Sequence, residues 1–313
     1  MTGEPARTVF LGSGGFGEPS LRRLAIHPAI ELVGVVTAPP RPIGRAQTPT
    51  RTPIHVLADT LGLEPVLTPA RLRDDAAIAS VLALGADLLV LADYGRIVPP
   101  VLLEPRFGAL NIHPSLLPRH RGATPIPAAI LAGDTETGVT LMRMDAGVDT
   151  GPIVVQLPVR LRGDETTPEL EASLAQEAAD LLGATVGPWL RGTRRAAPQP
   201  TEGATLTRPL RREDGRLDLD KAAVELERHV RAYQPWPGSF VDTPQGRLIV
   251  WSASPEASGG PGTGAFDERG LGVGGGERLT LDEVQLSGGK RMAWDAFVRG
   301  HPGIVGARVE PGR

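Results

Sequence analysis

Residues 109–118 read Ala-Leu-Asn-Ile-His-Pro-Ser-Leu-Leu-Pro. Ala109–Ile112 is a strand pattern that runs directly into a Pro-bounded loop. Asn111 and His113 are two apart, so on an extended chain they share a face. Upstream, Asp87–Ala92 is a strand too apolar for an exposed sheet edge, and Asp74–Leu84 and Pro53–Leu61 read as helices. Ile30–Thr37 is β-branched and apolar, Glu18–His27 puts Leu21, Leu24 and Ala25 on one helical face, and Arg7–Gly12 is a short strand. Strands alternating with helices argue for a mostly parallel sheet covered on both faces. Ligands of such sheets sit at the carboxyl ends of strands, where residues 111–118 lie.

Downstream, Gly138–Met144 and Pro152–Leu161 are strand-like runs joined by Asp145–Gly151, and Glu169–Leu190 is a long helical pattern. Residues 191–216 lose periodicity and read as a linker. Seven Arg there, against Glu202, Glu213 and Asp214, leave a local charge of +4. Ala222–Ala232 is an amphipathic helix. From Ser239 on, short strands (Arg247–Ser252, Leu271–Val273, Arg278–Gln285) alternate with Gly-rich turns, the pattern of a small β-barrel or sandwich. The expected division is therefore 1–190, an α/β domain; 191–216, a basic linker; and 217–313, a small β domain.

The chain has 313 residues, 41% hydrophobic and 22% charged, which fits a globular protein of two domains. It has no Cys, so no disulfide framework or thiolate metal site is expected, and a reducing cytoplasm fits. The N-terminus does not read as a signal peptide. No apolar run approaches the ~18 residues of a membrane span, so no membrane partner is expected. Net charge is −3, yet Arg41, Arg45 and Arg51 occupy residues 38–52 with no acid. Two local basic stretches on an acidic chain could grip a polyanion along one face; solvated Arg-rich loops are the plain alternative.

Asn111, His113 and Asp149 supply an amide, an imidazole and a carboxylate in two Gly/Pro-bounded loops. Acyl transfer to an amine needs such groups: one polarises a carbonyl, one handles a proton, and one sets the charge and tautomer of the proton carrier. With no Cys nucleophile and no Gly-x-Ser-x-Gly turn, direct transfer is expected rather than a covalent acyl-enzyme. Asp145 reads as a turn cap. No His or Cys stands at a ligand spacing from His113, so no metal is expected. Gly12-Ser-Gly14-Gly-Phe-Gly17 matches a dinucleotide fingerprint, but the second strand ends Val36-Thr37-Ala38-Pro39 without the acid that would hold a ribose. A tight turn, or a loop that lets a substrate approach the backbone, explains the glycines as well.

Asn111-Ile-His-Pro-Ser-Leu-Leu-Pro118 together with Met144-Asp-Ala-Gly-Val-Asp-Thr-Gly151 resembles the formyltetrahydrofolate-dependent formyltransferase superfamily. Arg41-Pro-Ile-Gly-Arg45, Arg119-His-Arg-Gly-Ala123 with Pro125-Ile126, and Arg231-Ala-Tyr-Gln-Pro-Trp-Pro-Gly238 resemble, within it, the methionyl-tRNA formyltransferase family. The chain departs from that family's usual pattern at Gly12-Ser-Gly14, at Pro114 and in its Lys-poor basic loop. The resemblance implies a Rossmann-like sheet domain and a C-terminal tRNA-binding β-barrel. It implies transfer of formyl from 10-formyltetrahydrofolate to the methionine amino group of initiator methionyl-tRNA. Asn111, His113 and Asp149 would be catalytic, Ser115, Leu116, Leu117 and Pro118 would shape the folate pocket, and Arg41, Arg45, Arg194 and Arg195 would contact tRNA. A monomer is expected. The alternatives are formylation of a purine precursor or amino sugar nucleotide by the same site, a dinucleotide-binding module, and a non-catalytic RNA-binding protein.

Overall fold

The computed structural model describes residues 4–43 and 48–309. Strands in chain order are β1 (Ala6–Gly12), β2 (Ile30–Val36), β3 (Arg41–Ile43), β4 (Thr48–Thr50), β5 (Val66–Leu67), β6 (Leu88–Ala92), β7 (Ala109–His113), β8 (Arg121–Gly122), β9 (Glu136–Arg143), β10 (Ile153–Arg160) and β11 (Leu206–Thr207). They continue with β12 (Ser239–Thr243), β13 (Gly246–Glu256), β14 (Gly270–Gly272), β15 (Arg278–Leu286) and β16 (Met292–Ala293). Helices are α1 (Glu18–Ala25), α2 (Pro53–Leu61), α3 (Asp75–Leu82), α4 (Pro125–Ala132), α5 (Thr167–Leu190), α6 (Ala223–Ala232) and α7 (Trp294–Gly300). Two compact units result. One comprises Met1–Pro125, Glu136–Arg160 and Glu171–Arg208; the other comprises Ile126–Thr135, Leu161–Leu170 and Pro209–Arg313.

The first unit holds a seven-stranded sheet in the order β10-β9-β7-β6-β1-β2-β5. From β5 to β7 all pairs are parallel, and β9 and β10 run antiparallel. The sheet is thus mostly parallel, as its apolar strands require: Leu88–Ala92 is buried throughout. Val9 and Leu11 pack with Leu89, Leu91 and Leu102 in one cluster, while Phe10, between them, is fully buried outside it. Both faces of β1 are therefore covered. The helix boundaries follow local rules. Thr52 caps α2 by accepting the His55 N–H at 3.1 Å, Pro53 opens the helix, and Gly62 closes it at φ 65°.

The glycines after β1 are required by close approach. A Cβ on Gly12 would stand 2.7 Å from Phe10 Cε1 and 2.8 Å from the Ala92 carbonyl, and one on Gly14 would overlap the Asp93 carboxylate. They bring the β1–α1 turn against the end of β6, where the Asp93 carbonyl accepts the Ser13 N–H at 2.9 Å.

In the second unit the expected small barrel is a five-stranded antiparallel sheet, β12-β13-β15-β14, with β16 also paired to β15. Its path ends at β12 and β14, which do not pair with each other. Register shifts between Val250 and Ala253 bend the long strand β13. Leu226 and Val230 of α6 pack on Val241, Leu248 and Val250, and Trp294 lies 5.9 Å from Phe266 and 5.7 Å from Phe297, ring centre to centre. Helices α4 and α7 carry no helical period in the sequence. Pro125-Ile-Pro-Ala-Ala-Ile-Leu-Ala is apolar all round and carries two prolines in its first turn, where proline is tolerated. Trp294-Asp-Ala-Phe-Val-Arg-Gly is two turns long, too short for a period to show.

Two outcomes follow from these contacts. Gly12→Ala forces backbone and ring apart and is expected to cost about 1–3 kcal/mol, read as a lowered melting temperature. The second concerns His229, whose ring nitrogens meet Ser239 Oγ at 2.8 Å and the Asp214 carbonyl at 2.9 Å. Burial pushes its pKa down from 6.5 to about 4. Between those pH values the unfolded chain binds the extra proton. Stability is therefore fully present above about 6.5 and falls as pH drops toward 4. Urea melts of wild type and His229→Gln from pH 7.5 to 4.5 check this: the variant should show a flatter pH dependence.

Candidate functional site

Strand β7 presents Asn111 and His113 on one face, as period-two alternation requires. The loop after β9 doubles back over that face. Asn111 Nδ2 donates to Asp149 Oδ1 at 3.2 Å, and His113 Nδ1 lies 3.6 Å from Asp149 Oδ2. The same Oδ2 accepts the Gly122 N–H of β8 at 2.8 Å. The three groups expected from sequence thus converge, with Asn111 hydrogen-bonded to Asp149 and His113 facing the same carboxylate, and Asn111 keeps a second amide hydrogen to offer. Asp145 is the turn cap: its Oδ1 accepts the Gly147 N–H at 3.0 Å and the Thr150 hydroxyl at 2.7 Å.

His113 is 4% exposed. Its Nε2 lies 2.9 Å from the His120 carbonyl, which can only accept, so Nε2 carries the proton and donates. Burial pushes the imidazole below its ordinary 6.5, outweighing the upward pull of the Asp149 carboxylate and the His120 carbonyl. The neutral ring therefore points a bare Nδ1 at a carboxylate oxygen. Two acceptors face each other, which accounts for their 3.6 Å separation and leaves a place for one proton between them.

Residues 115–118 turn inward. Ser115 is fully buried and its hydroxyl donates to the Arg119 carbonyl at 2.7 Å. Leu117 is buried, its N–H donates to Thr140 Oγ1, and its carbonyl accepts from Gln156 Nε2 at 2.9 Å. Leu116 and Pro118 are half-buried. These contacts fix the loop after His113. Val148, next to Asp149 in the chain, is an exposed apolar side chain.

Arg41 is exposed on β3, and Arg194 and Arg195 are exposed just past α5, paired with no acid among the described residues. Arg45 lies outside the described residues. Among the described residues, no group of three or more His, Cys, Asp or Glu could hold a metal ion, and no helix is long and apolar enough to cross a membrane.

Gly122 and Gln199 hold the cluster without a side-chain signature, and Asp93 is a further titratable group at the end of the neighbouring strand. Asp93 follows the apolar strand β6 at φ 52°, with one side open to solvent. Loss of water around its carboxyl, and then the Glu171 charge, push its pKa up to about 6. An acid directly after a buried run was the available signal. Gly122 touches Asp149 through its backbone, which no side-chain pattern reveals. Gln199 sits in the segment read as linker, where it donates to the Asp149 carbonyl at 2.9 Å and the Gly151 carbonyl at 2.6 Å.

The formyl transferase family model matches residues 6–186, and the model of the formyl transferase C-terminal domain matches 209–302. The methionyl-tRNA formyltransferase of Roseiflexus sp. (strain RS-1) is 41% identical over 92% of this chain and 99% of its own. That of Gluconacetobacter diazotrophicus is 43% identical over 97% of this chain and 99% of its own. Among solved structures, an N-formyltransferase from Helicobacter canadensis, in complex with folinic acid and dTDP-3-aminofucose, superimposes with a TM-score of 0.63. It covers 88% of this chain and 98% of its own at 16% identity, which shows a shared fold. With both of its domains matched and relatives above 40% identity along nearly its whole length, the chain belongs to the formyl transferase family, among the methionyl-tRNA formyltransferases.

Proposed function

We propose that this chain transfers the formyl group of 10-formyltetrahydrofolate to the free amino group of methionine on initiator methionyl-tRNA, in the cytoplasm, giving N-formylmethionyl-tRNA for translation initiation. The Asn111–Asp149–His113 cluster carries this reading, because it joins the groups needed for acyl transfer to an amine. The near full-length likeness to methionyl-tRNA formyltransferases supports the choice of amine.

The folate supplies a formyl carbon bound to nitrogen. The donor set suits it: an amide N–H is free at Asn111, the Asp149 carboxylate and His113 Nδ1 are at hand as proton acceptors, and exposed apolar Val148 adjoins Asp149 in the chain. Ser115, Leu116, Leu117 and Pro118 shape the wall of the pocket. In the reaction a bond forms between the substrate amine and the formyl carbon, and the bond from that carbon to the folate nitrogen breaks. Asn111 donates its second amide hydrogen to the carbonyl oxygen as negative charge gathers there. Asp149 holds the Asn111 amide in place and, with His113 Nδ1, takes the proton that the amine releases. The leaving nitrogen gains a proton in turn. Burial of His113 keeps water from competing for the shared proton.

The C-terminal unit would bind tRNA, the enzyme would act as a monomer, and Arg41, Arg45, Arg194 and Arg195 would contact the tRNA backbone. Phosphate contacts position without reading sequence.

The test is formylation by purified protein, with 10-formyltetrahydrofolate and charged initiator or elongator tRNA, read as formyl-methionine. Absence of product on initiator tRNA, with formylation of an amino sugar nucleotide instead, would overturn the choice of amine. Asp149→Asn, Asn111→Ala and His113→Gln are each expected to lose at least ~10²-fold in turnover, with melting near wild type; a near-native Asp149→Asn rate would remove Asp149 from the site. Because His113 titrates below 6.5, the acid limb of kcat/KM should fall below that pH. In Asp149→Asn the limb should move lower still, since the carboxylate that raises the imidazole pKa is gone. Neutralising Arg194 and Arg195 should weaken both tRNAs alike and flatten the salt dependence of binding by roughly one unit per lost phosphate contact. Arg45→Ala is expected to narrow the preference for initiator over elongator tRNA, checked by the two formylation rates.

A further inference from the structure

We propose that Gln199 is a positioning residue for the transfer reaction, clamping the Asp149 loop in its working geometry. The inference rests on the reading of Asp149 as part of the catalytic cluster. Asp149 has φ 50°, a conformation that L side chains seldom adopt and that persists where the surroundings over-determine it. Asn111 and Gly122 restrain its carboxylate. The carbonyls of Asp149 and Gly151 are both held by one group, the Gln199 amide.

That amide uses its whole hydrogen-bonding capacity. Nε2 donates to the Asp149 carbonyl at 2.9 Å and to the Gly151 carbonyl at 2.6 Å. Oε1 accepts from Arg121 Nε at 3.2 Å and Nη2 at 2.7 Å. Arg121 precedes Gly122, whose N–H binds Asp149 Oδ2. The contacts therefore close a ring from Gln199 to the Asp149 main chain, through its carboxylate to Gly122, along the chain to Arg121 and back to Gln199. Neither the strained main chain nor the carboxylate can rotate without breaking it.

The clamp is itself anchored. Two residues earlier, Ala197 exchanges backbone hydrogen bonds with Ile153 at 2.8 and 2.7 Å. Beyond it, Thr205 Oγ1 accepts the His120 N–H at 2.8 Å, and β11 pairs in parallel with β8. Thus residues 197–207 are laced to both loops of the cluster. Gln199 touches Asp149 only at its main-chain carbonyl and hydrogen-bonds neither Asn111 nor His113, so it acts through Asp149.

The test uses the full-length protein and the formylation assay. Gln199→Met keeps the volume and loses these four bonds. Gln199→Glu can keep the Arg121 pair but sets a carboxylate oxygen against two carbonyls. Both are expected to lower kcat about tenfold to a hundredfold while KM for each substrate stays within about twofold, as for a sub-ångström misplacement of a working group. In an Asp149→Asn background the same changes should have no further effect on kcat, because the group they position is already gone. Melting curves accompany each variant. If Gln199→Met and Gln199→Glu keep wild-type kcat while Asp149→Asn loses at least a hundredfold, the clamp is wrong and the catalytic reading stands. If Asp149→Asn itself stays near wild type, the catalytic reading fails. Additive losses in the Asp149→Asn background, or loss of the folding transition in both Gln199 variants, would make Gln199 a general structural residue and overturn the proposal.

Discussion

The carboxylate of Asp149 is where three pieces of the first unit meet. It accepts from Asn111 on β7 and from the Gly122 backbone on β8, and it faces the imidazole of His113. A carboxylate taken largely out of water must be hydrogen-bonded or lose its charge. Its donors come from segments 27 and 38 residues away in the chain, so the cluster forms only when the sheet, the 119–122 segment and the 144–152 loop are all in place.

Around this joint the protein spends backbone conformations that side chains ordinarily avoid. Asp93, His120 and Asp149 are its described non-glycine residues at positive φ. Asp93 ends β6, His120 supplies the carbonyl that fixes the His113 tautomer, and Asp149 is the joint itself. Strained positions gathered at one place are held there by surrounding contacts. Here the glycine turn after β1 packs on Asp93, and Thr205 holds the His120 main chain. Ser115, Thr140 and Gln156 form a second buried network that fixes the loop after His113. The site is a polar lattice set on a hydrophobic sheet.

Much of this was legible in the sequence. Strands β1, β2, β6, β7, β9 and β10 and helices α1, α2, α3 and α5 could be read to within a few residues, because period, caps and Pro/Gly punctuation agree there, whereas the short strands β3, β4 and β5 are too brief for a period to show. Asn111 and His113 share a face because they are two apart on a strand, and Asp145 was readable as a turn cap. The helices α4 and α7 were not legible: one is apolar all round with two prolines, the other too short for a period. The segment after α5 looked featureless because its order comes from partners distant in the chain. Ala197 binds Ile153, Gln199 binds residues 121, 149 and 151, and Thr205 binds residues 118–121.

What the sequence determined by itself was local and periodic: a mostly parallel sheet, the strand end that carries Asn111 and His113, and the glycine-bounded loop that carries Asp149. Period, capping and turn chemistry act over a few residues, so they can be read from a few residues. What tertiary structure alone decided was how those pieces meet. That includes the 3.2 Å bond between Asn111 and Asp149, the bare Nδ1 of His113 facing a carboxylate, and the Gln199 amide across two loops. Such contacts join residues tens of positions apart, and some of them run through backbone N–H and C=O groups that every residue carries. No pattern of side chains encodes them; they exist only once the folded sheet has brought the segments within hydrogen-bonding distance.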